Sequence, residues 1–186
     1  SFKKLSIFLF LMRVPQYFSL ERSSEFWRGH TGPYWTGYEE LEKIMPGISG
    51  QEVRLEVPSR MLDGHMTRNE LSLVISIASY IEPKKVFEFG TFDGLTTLNF
   101  AMNTPDYTEI YTLDLPEDQT STQYGLDGFN KKYLPSGRKS RFEGSPFVHK
   151  IRQLRMDSAQ LNPEEFRGMF DLVFVDGSHT YDYCKN

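Results

Sequence analysis

Residues Val86–Phe100 read VFEFGTFDGLTTLNF. Val86–Phe89 has the look of a buried strand. It runs into Gly90, and a second glycine, Gly94, opens a helical segment. Glycine adopts backbone angles closed to other residues and lets neighbouring atoms come close. A strand, a glycine turn and a helix start together make a place where backbone N–H groups can face a ligand. Which ligand suits this turn decides the rest of the reading.

Outward from this stretch, strands and helices alternate. Upstream, Thr67-Arg68-Asn69-Glu70 forms a capping box. Leu71, Val74, Ile75, Ala78 and Ile81 follow at helical spacing until Pro83. Downstream, Leu95–Asn103 reads as a helix closed by Thr104-Pro105. Ile110–Leu113 reads as a second strand ending at Asp114. Ile151–Met156 is a third, whose polar residues suit an edge, and Phe170–Val175 is a fourth, apolar but for Asp171. Asn162-Pro163-Glu164-Glu165 starts a short helix with cap, proline and acids in their usual order. The polar stretch 115–147 is expected to hold one helix near Gly128–Tyr133. The pattern predicts an α/β fold, a Rossmann-like doubly wound, mainly parallel sheet in strand order 3-2-1-4.

Residues 1–50 form an irregular, aromatic-rich extension, and 51–186 the ligand-binding domain. A short helix is expected at Tyr38–Met45, ended by Pro46 and Gly47. Phe26, Trp27, Tyr34, Trp35 and Tyr38 are expected to pack on the main domain, with a roof over a pocket as the alternative; His30 takes no role. Lys3 and Lys4 precede the apolar run Leu5–Met12, which is too short to span a bilayer. It is read as a packed segment in preference to a membrane-surface contact or a secretory signal, so no transmembrane segment is expected.

The 186 residues are 39% hydrophobic and 15% aromatic, in the range of a globular protein. A net charge of −4 argues against nucleic acid as the main partner. The one cysteine, Cys184, excludes an internal disulfide and a thiolate zinc cluster, and it suits a reducing, cytoplasmic location.

Glu88 in the first strand, Asp114 ending the second and Asp157 after the third should gather at the carboxyl edge of the sheet. Asp114 is placed to accept hydrogen bonds from ribose hydroxyls. A nicotinamide dinucleotide is one candidate ligand, with the fingerprint G-x-G-x-x-G. Here Phe92 stands where the second glycine belongs, and Glu88 and Asp93 would face a diphosphate. A ribose-bearing cation suits that field better, and S-adenosylmethionine is one.

At this point a resemblance enters. VFEFGTFDGLTT resembles motif I of class I S-adenosylmethionine-dependent methyltransferases, nearest to the catechol, caffeoyl-coenzyme A and sugar O-methyltransferase-like branch. YTLDL at 111–115 resembles the family's second motif, and RMDS at 155–158 the stretch that reaches the adenine. FDLVFVDGSHTYDY at 170–183 resembles the fourth-strand motif. The resemblance implies S-adenosylmethionine as cofactor, held by Glu88, Gly90, Thr91, Phe92 and Gly94. It implies Asp114 on the ribose, Asp157 and Ser158 at the adenine, and Asp176 beyond the fourth strand. It implies a small-molecule or sugar hydroxyl as acceptor, lined by Tyr181, with Asp176 and His179 catalytic and His179 as general base. Asp176 is also the candidate ligand for Mg²⁺ or another divalent cation. A homodimer is compatible with this reading. The family fold continues with further strands, so the chain is expected to be C-terminally incomplete, with one edge of Phe170–Val175 bare. Other readings are a non-catalytic adenosyl-binding or scaffold domain and an NAD-dependent oxidoreductase. Methylation of DNA amino groups is set aside, because DGSH replaces the Asn-Pro-Pro-aromatic signature.

Overall fold

The structure, a computed structural model, describes residues 7–10, 41–117, 122–125, 131, 139–178 and 180–185. Five strands form one sheet: β1 Ile7–Phe10, β2 Lys85–Phe89, β3 Glu109–Asp114, β4 Ile151–Arg155 and β5 Leu172–Val175. Their order is β1-β5-β2-β3-β4, and every pairing is parallel. Read from the opposite edge, β4-β3-β2-β5 is the predicted order 3-2-1-4.

Helix α1, Arg68–Ile81, begins where the capping box predicts. Thr67 Oγ1 accepts the Glu70 N–H at 3.3 Å, and Glu70 Oε2 accepts the Thr67 N–H at 2.7 Å. Its apolar face, Leu71, Val74, Ile75 and Ala78, packs with Val86, Ile110, Leu172 and Phe174 in the main core. Full burial of each large side chain there contributes about 1.5–3 kcal/mol. Helix α2, Leu95–Asn103, has the predicted bounds and adds Phe100 and Ala101 to the same core. A second cluster centres on Phe87, Leu113 and Phe170, with Phe166 of helix α3, Pro163–Phe166, packed against it. Helix α4, Tyr181–Lys185, follows β5. Among the described residues no helix is long and apolar enough to cross a membrane.

Lys150 completes α2 from a distance. Its ammonium donates to Ala101 O at 2.6 Å, Thr104 O at 2.8 Å and Thr104 Oγ1 at 3.0 Å. All three donors are spent on the carbonyl end of the helix, where a positive charge is favourable. Burial pushes the Lys150 pKa down, and nearby Asp106 opposes that shift.

One expectation is corrected. The edge of Phe170–Val175 is not bare: β1 lies along it, with Ile7 opposite Leu172 and Phe10 opposite Val175. A strand edge exposes a row of unpaired N–H and C=O groups. The segment IFLF is made of residues that favour extended backbone and fills that row. Residues 41–44 are helical and the helix stops before Pro46, as expected. Met45 and Ile48 then pack on Ile77 of α1. Phe26, Trp27, His30, Tyr34, Trp35 and Tyr38 lie outside the described residues. So does the helix expected near Gly128–Tyr133, apart from Lys131.

Candidate functional site at the carboxyl edge of the sheet

Parallel strands end on one side. Phe89, Leu113 and Val175 stand in register across β3, β2 and β5. The residues that follow them, Gly90, Asp114 and Asp176, therefore share one rim, and Asp157-Ser158 joins it beyond β4. Thr91, Phe92 and Gly94 continue the turn from Gly90 at this rim, Glu88 is buried beneath it, and His179 lies outside the described residues.

The glycine turn is left-handed at Gly90 (φ 94°), Phe92 (φ 51°) and Gly94 (φ 80°). A Cβ on Gly90 would meet the Asp176 carbonyl oxygen at 2.4 Å. One on Gly94 would meet the Phe142 ring at 2.7 Å. The chain's own packing thus accounts for both glycines: Gly90 admits the exit of β5, and Gly94 admits an aromatic ring.

Beneath the turn lies a buried polar chain. Glu88 is 1% exposed. Its Oε2 accepts the Thr97 hydroxyl at 2.5 Å and the Thr112 hydroxyl at 2.6 Å. With its hydrogen given to Glu88, the Thr112 hydroxyl must accept from Thr91, whose Oγ1 lies 2.7 Å away. Burial pushes the Glu88 carboxyl up to about 8. The two threonine hydroxyls oppose that shift, and the neighbouring acids Asp176 and Asp114 add to it.

Asp114 ends β3 and reaches into the turn. Its Oδ2 accepts the Phe92 N–H at 2.8 Å, and its Oδ1 accepts the Leu115 N–H at 2.8 Å. A carboxylate offers about four acceptor positions, so these two bonds and the neighbouring Thr91 N–H do not fill it. Burial raises the Asp114 pKa against those N–H groups and the charge of Arg155.

Asp157 is more fully engaged. Its Oδ1 accepts from the Ala159 N–H at 3.1 Å and the Tyr183 hydroxyl at 2.9 Å, and its Oδ2 from the Gln123 N–H at 2.8 Å. It caps the 3₁₀ turn Ser158–Gln160 and ties two other segments to the end of β4. Tyr183 in turn meets the Tyr124 ring edge to face at 5.2 Å. Asp176 is fixed by its backbone, which donates to Phe89 O at 2.9 Å. Among the described residues no three His, Cys, Asp or Glu side chains are grouped to hold a metal ion.

Two residues that reach the turn escape a reading of the sequence, His65 and Arg141, and both meet Asp93. The Asp93 Oδ2 accepts from His65 Nε2 at 2.9 Å and from Arg141 Nε at 2.7 Å. Its Oδ1 accepts the Leu95 N–H at 3.2 Å, and its backbone carbonyl accepts the Arg141 N–H at 2.8 Å. Burial alone would raise the Asp93 pKa; the bonds from His65 and Arg141 outweigh it and hold the carboxyl below its usual range. The one sequence signal is an acid inside a glycine turn that must be buried, which demands a counter-cation.

A family of methyltransferase domains matches residues 87–186, more than half of the chain. No curated protein matches. Similar solved structures include the O-methyltransferase TomG from Streptomyces achromogenes, involved in tomaymycin synthesis, in complex with SAM. It is 17% identical, with a TM-score of 0.47, over 75% of this chain and 61% of that one. The SAH-bound methyltransferase PaMTH1 from Podospora anserina is 19% identical, with a TM-score of 0.48, over 95% of this chain and 66% of that one. The O-methyltransferase from Bacillus cereus in complex with SAH is 13% identical, with a TM-score of 0.44, over 84% and 60%. The chain thus spans less than two thirds of the length of these structures. With the family match over the strand, turn, helix and rim described above, the chain belongs to the methyltransferase-domain family.

Proposed function

We propose that this chain binds S-adenosylmethionine at the acidic rim and serves the transfer of its methyl group to a hydroxyl of a small molecule or sugar. The observation that carries the reading is Asp114. It closes the turn through the Phe92 N–H and keeps acceptor positions for a ribose diol. The bound donor would supply an activated methyl on a positively charged sulfur. Asp114 and Asp176, the acids whose charge acts on Glu88, raise the negative potential at the rim, which favours that cation and repels a diphosphate. This electrostatic argument sets the nicotinamide reading behind the methyltransferase reading. In this proposal the site lies within 51–186. The turn Gly90–Gly94 holds the amino-acid end, Asp157 and Ser158 border the base, and Asp176 stands beside the acceptor. His179 is the proposed group that takes the hydroxyl proton, since an imidazole titrates near neutrality.

The test is calorimetric titration of the full chain with S-adenosylhomocysteine and, side by side, NAD. S-adenosylhomocysteine should bind saturably. Asp114→Ala should weaken it about tenfold or more, because two charge-assisted hydrogen bonds are lost. Binding of NAD alone, or equal S-adenosylhomocysteine affinity in the variant, would overturn the reading.

A further inference from the structure

Asp93 is gripped from two distant parts of the chain. His65 precedes α1, and Arg141 precedes β4. Both side chains converge on one carboxylate oxygen, and the Arg141 backbone holds the Asp93 carbonyl as well. His65 also sets its ring against Phe92, edge to face at 5.4 Å. Within the turn His65 thus touches two neighbouring residues, Phe92 and Asp93. Phe92 is a bulky residue in the left-handed region, a conformation such residues keep only when their surroundings impose it.

The hydrogen bonds fix the chemistry of the histidine. Its Nδ1 accepts the Leu62 N–H at 3.0 Å, so that nitrogen carries no hydrogen. The hydrogen sits on Nε2 and is donated to Asp93. Arg141 adds a guanidinium to the same carboxylate oxygen. With both ring nitrogens engaged and the side chain 2% exposed, His65 has no means to act as a base toward a substrate.

The Phe92 N–H, set by this arrangement, is the donor that holds Asp114 Oδ2 at 2.8 Å. We infer that His65, Asp93 and Arg141 are positioning residues that hold Phe92 in its left-handed conformation and, through its N–H, set the Asp114 carboxylate. The effect on ligand affinity rests on the adenosyl-donor reading; the effect on the turn does not.

Two measurements on the full chain test this. The first needs no ligand: amide hydrogen exchange of wild type, His65→Leu, His65→Gln and Arg141→Ala. Exchange at residues 92–95 should rise about tenfold in His65→Leu and in Arg141→Ala, the size expected for loss of one charge-assisted bond. His65→Gln keeps a donor near Nε2 and should recover most of the protection. Amides of β4 should be unchanged. No rise at the turn, or an equal rise in β4, overturns the inference. The second is a double-mutant cycle read by S-adenosylhomocysteine affinity. His65→Leu should weaken binding about tenfold in wild type and much less in an Asp114→Asn background. A full additive loss overturns the route through Asp114. Failure of wild type to bind S-adenosylhomocysteine overturns the proposed function, while the exchange measurement still decides the role of the three residues.

Discussion

Glu88 and Asp93 belong to one strand-turn-helix unit, both are buried, and the fold treats them in opposite ways. Among the described residues Glu88 receives hydroxyl groups, from Thr97 and Thr112, and its neighbours Asp114 and Asp176 are acids like itself. Asp93 receives a guanidinium and an imidazole N–H. Burial disfavours the charged form of either group. The partners decide the outcome: the carboxyl at 88 is pushed up to about 8, and the one at 93 is held below its usual range. One acid is kept near neutrality under the rim, and the other is a fixed charge that fastens the turn.

The strongest way to break this contrast is Asp93→Ala. It removes the shared partner of His65 and Arg141 and leaves a partly buried guanidinium uncompensated. The expected loss is about 3 kcal/mol, read from the urea midpoint at neutral pH. A loss near zero would mean the grip on the turn carries no energy.

Next in size is the pH dependence that Glu88 imposes. Its folded pKa lies above the ordinary value of 4.5, so the folded chain binds more protons than the unfolded chain between about 4.5 and 8. Stability contributed by the neutral carboxyl is therefore present at low pH and is lost as pH rises through that window. Glu88→Gln keeps an acceptor for both hydroxyls and cannot ionise. It should flatten the slope and be more stable than wild type near pH 8.5, as checked by denaturation series across pH. Parallel slopes in the two proteins would sink the assignment.

The smallest effect sharpens the comparison. Thr97→Val deletes one of the two hydroxyl donors to Glu88 at nearly constant shape. It should cost about 1 kcal/mol and move the falling limb of the stability profile to higher pH. The same substitution should leave the Asp93 contacts untouched, so hydrogen exchange at residues 92–95 serves as its internal control.

Much of the architecture was legible in local patterns. The apolar runs at Val86–Phe89, Ile110–Leu113 and Phe170–Val175, the capping box at Thr67 and the bounds of Leu95–Asn103 depend on neighbours along the chain, and each reappears in the structure. The clustering of Glu88, Asp114, Asp157 and Asp176 at one edge follows from parallel topology alone. What local reasoning could not reach depends on residues far apart in sequence. Gly90 is required by the Asp176 carbonyl and Gly94 by the Phe142 ring, so a spacing that suggests a ligand is explained by the chain itself. Asp157 is drawn into bonds with Gln123 and Tyr183, which no motif announces. Lys150 reads as a surface lysine until the end of α2 is placed beside it. His65 and Arg141 carry no pattern; only the packed turn makes them partners of Asp93.

The pairing of β1 with β5 has a consequence for how the molecule is made. On the ribosome Ile7–Phe10 emerges long before Leu172–Val175, the strand it lies against. β2, β3 and β4 lie between the two in the sequence. Contacts so distant along the chain form late and slowly. The pairing of β1 with β5 thus follows the synthesis of β2, β3 and β4, and it joins the two described strands that lie farthest apart in the sequence.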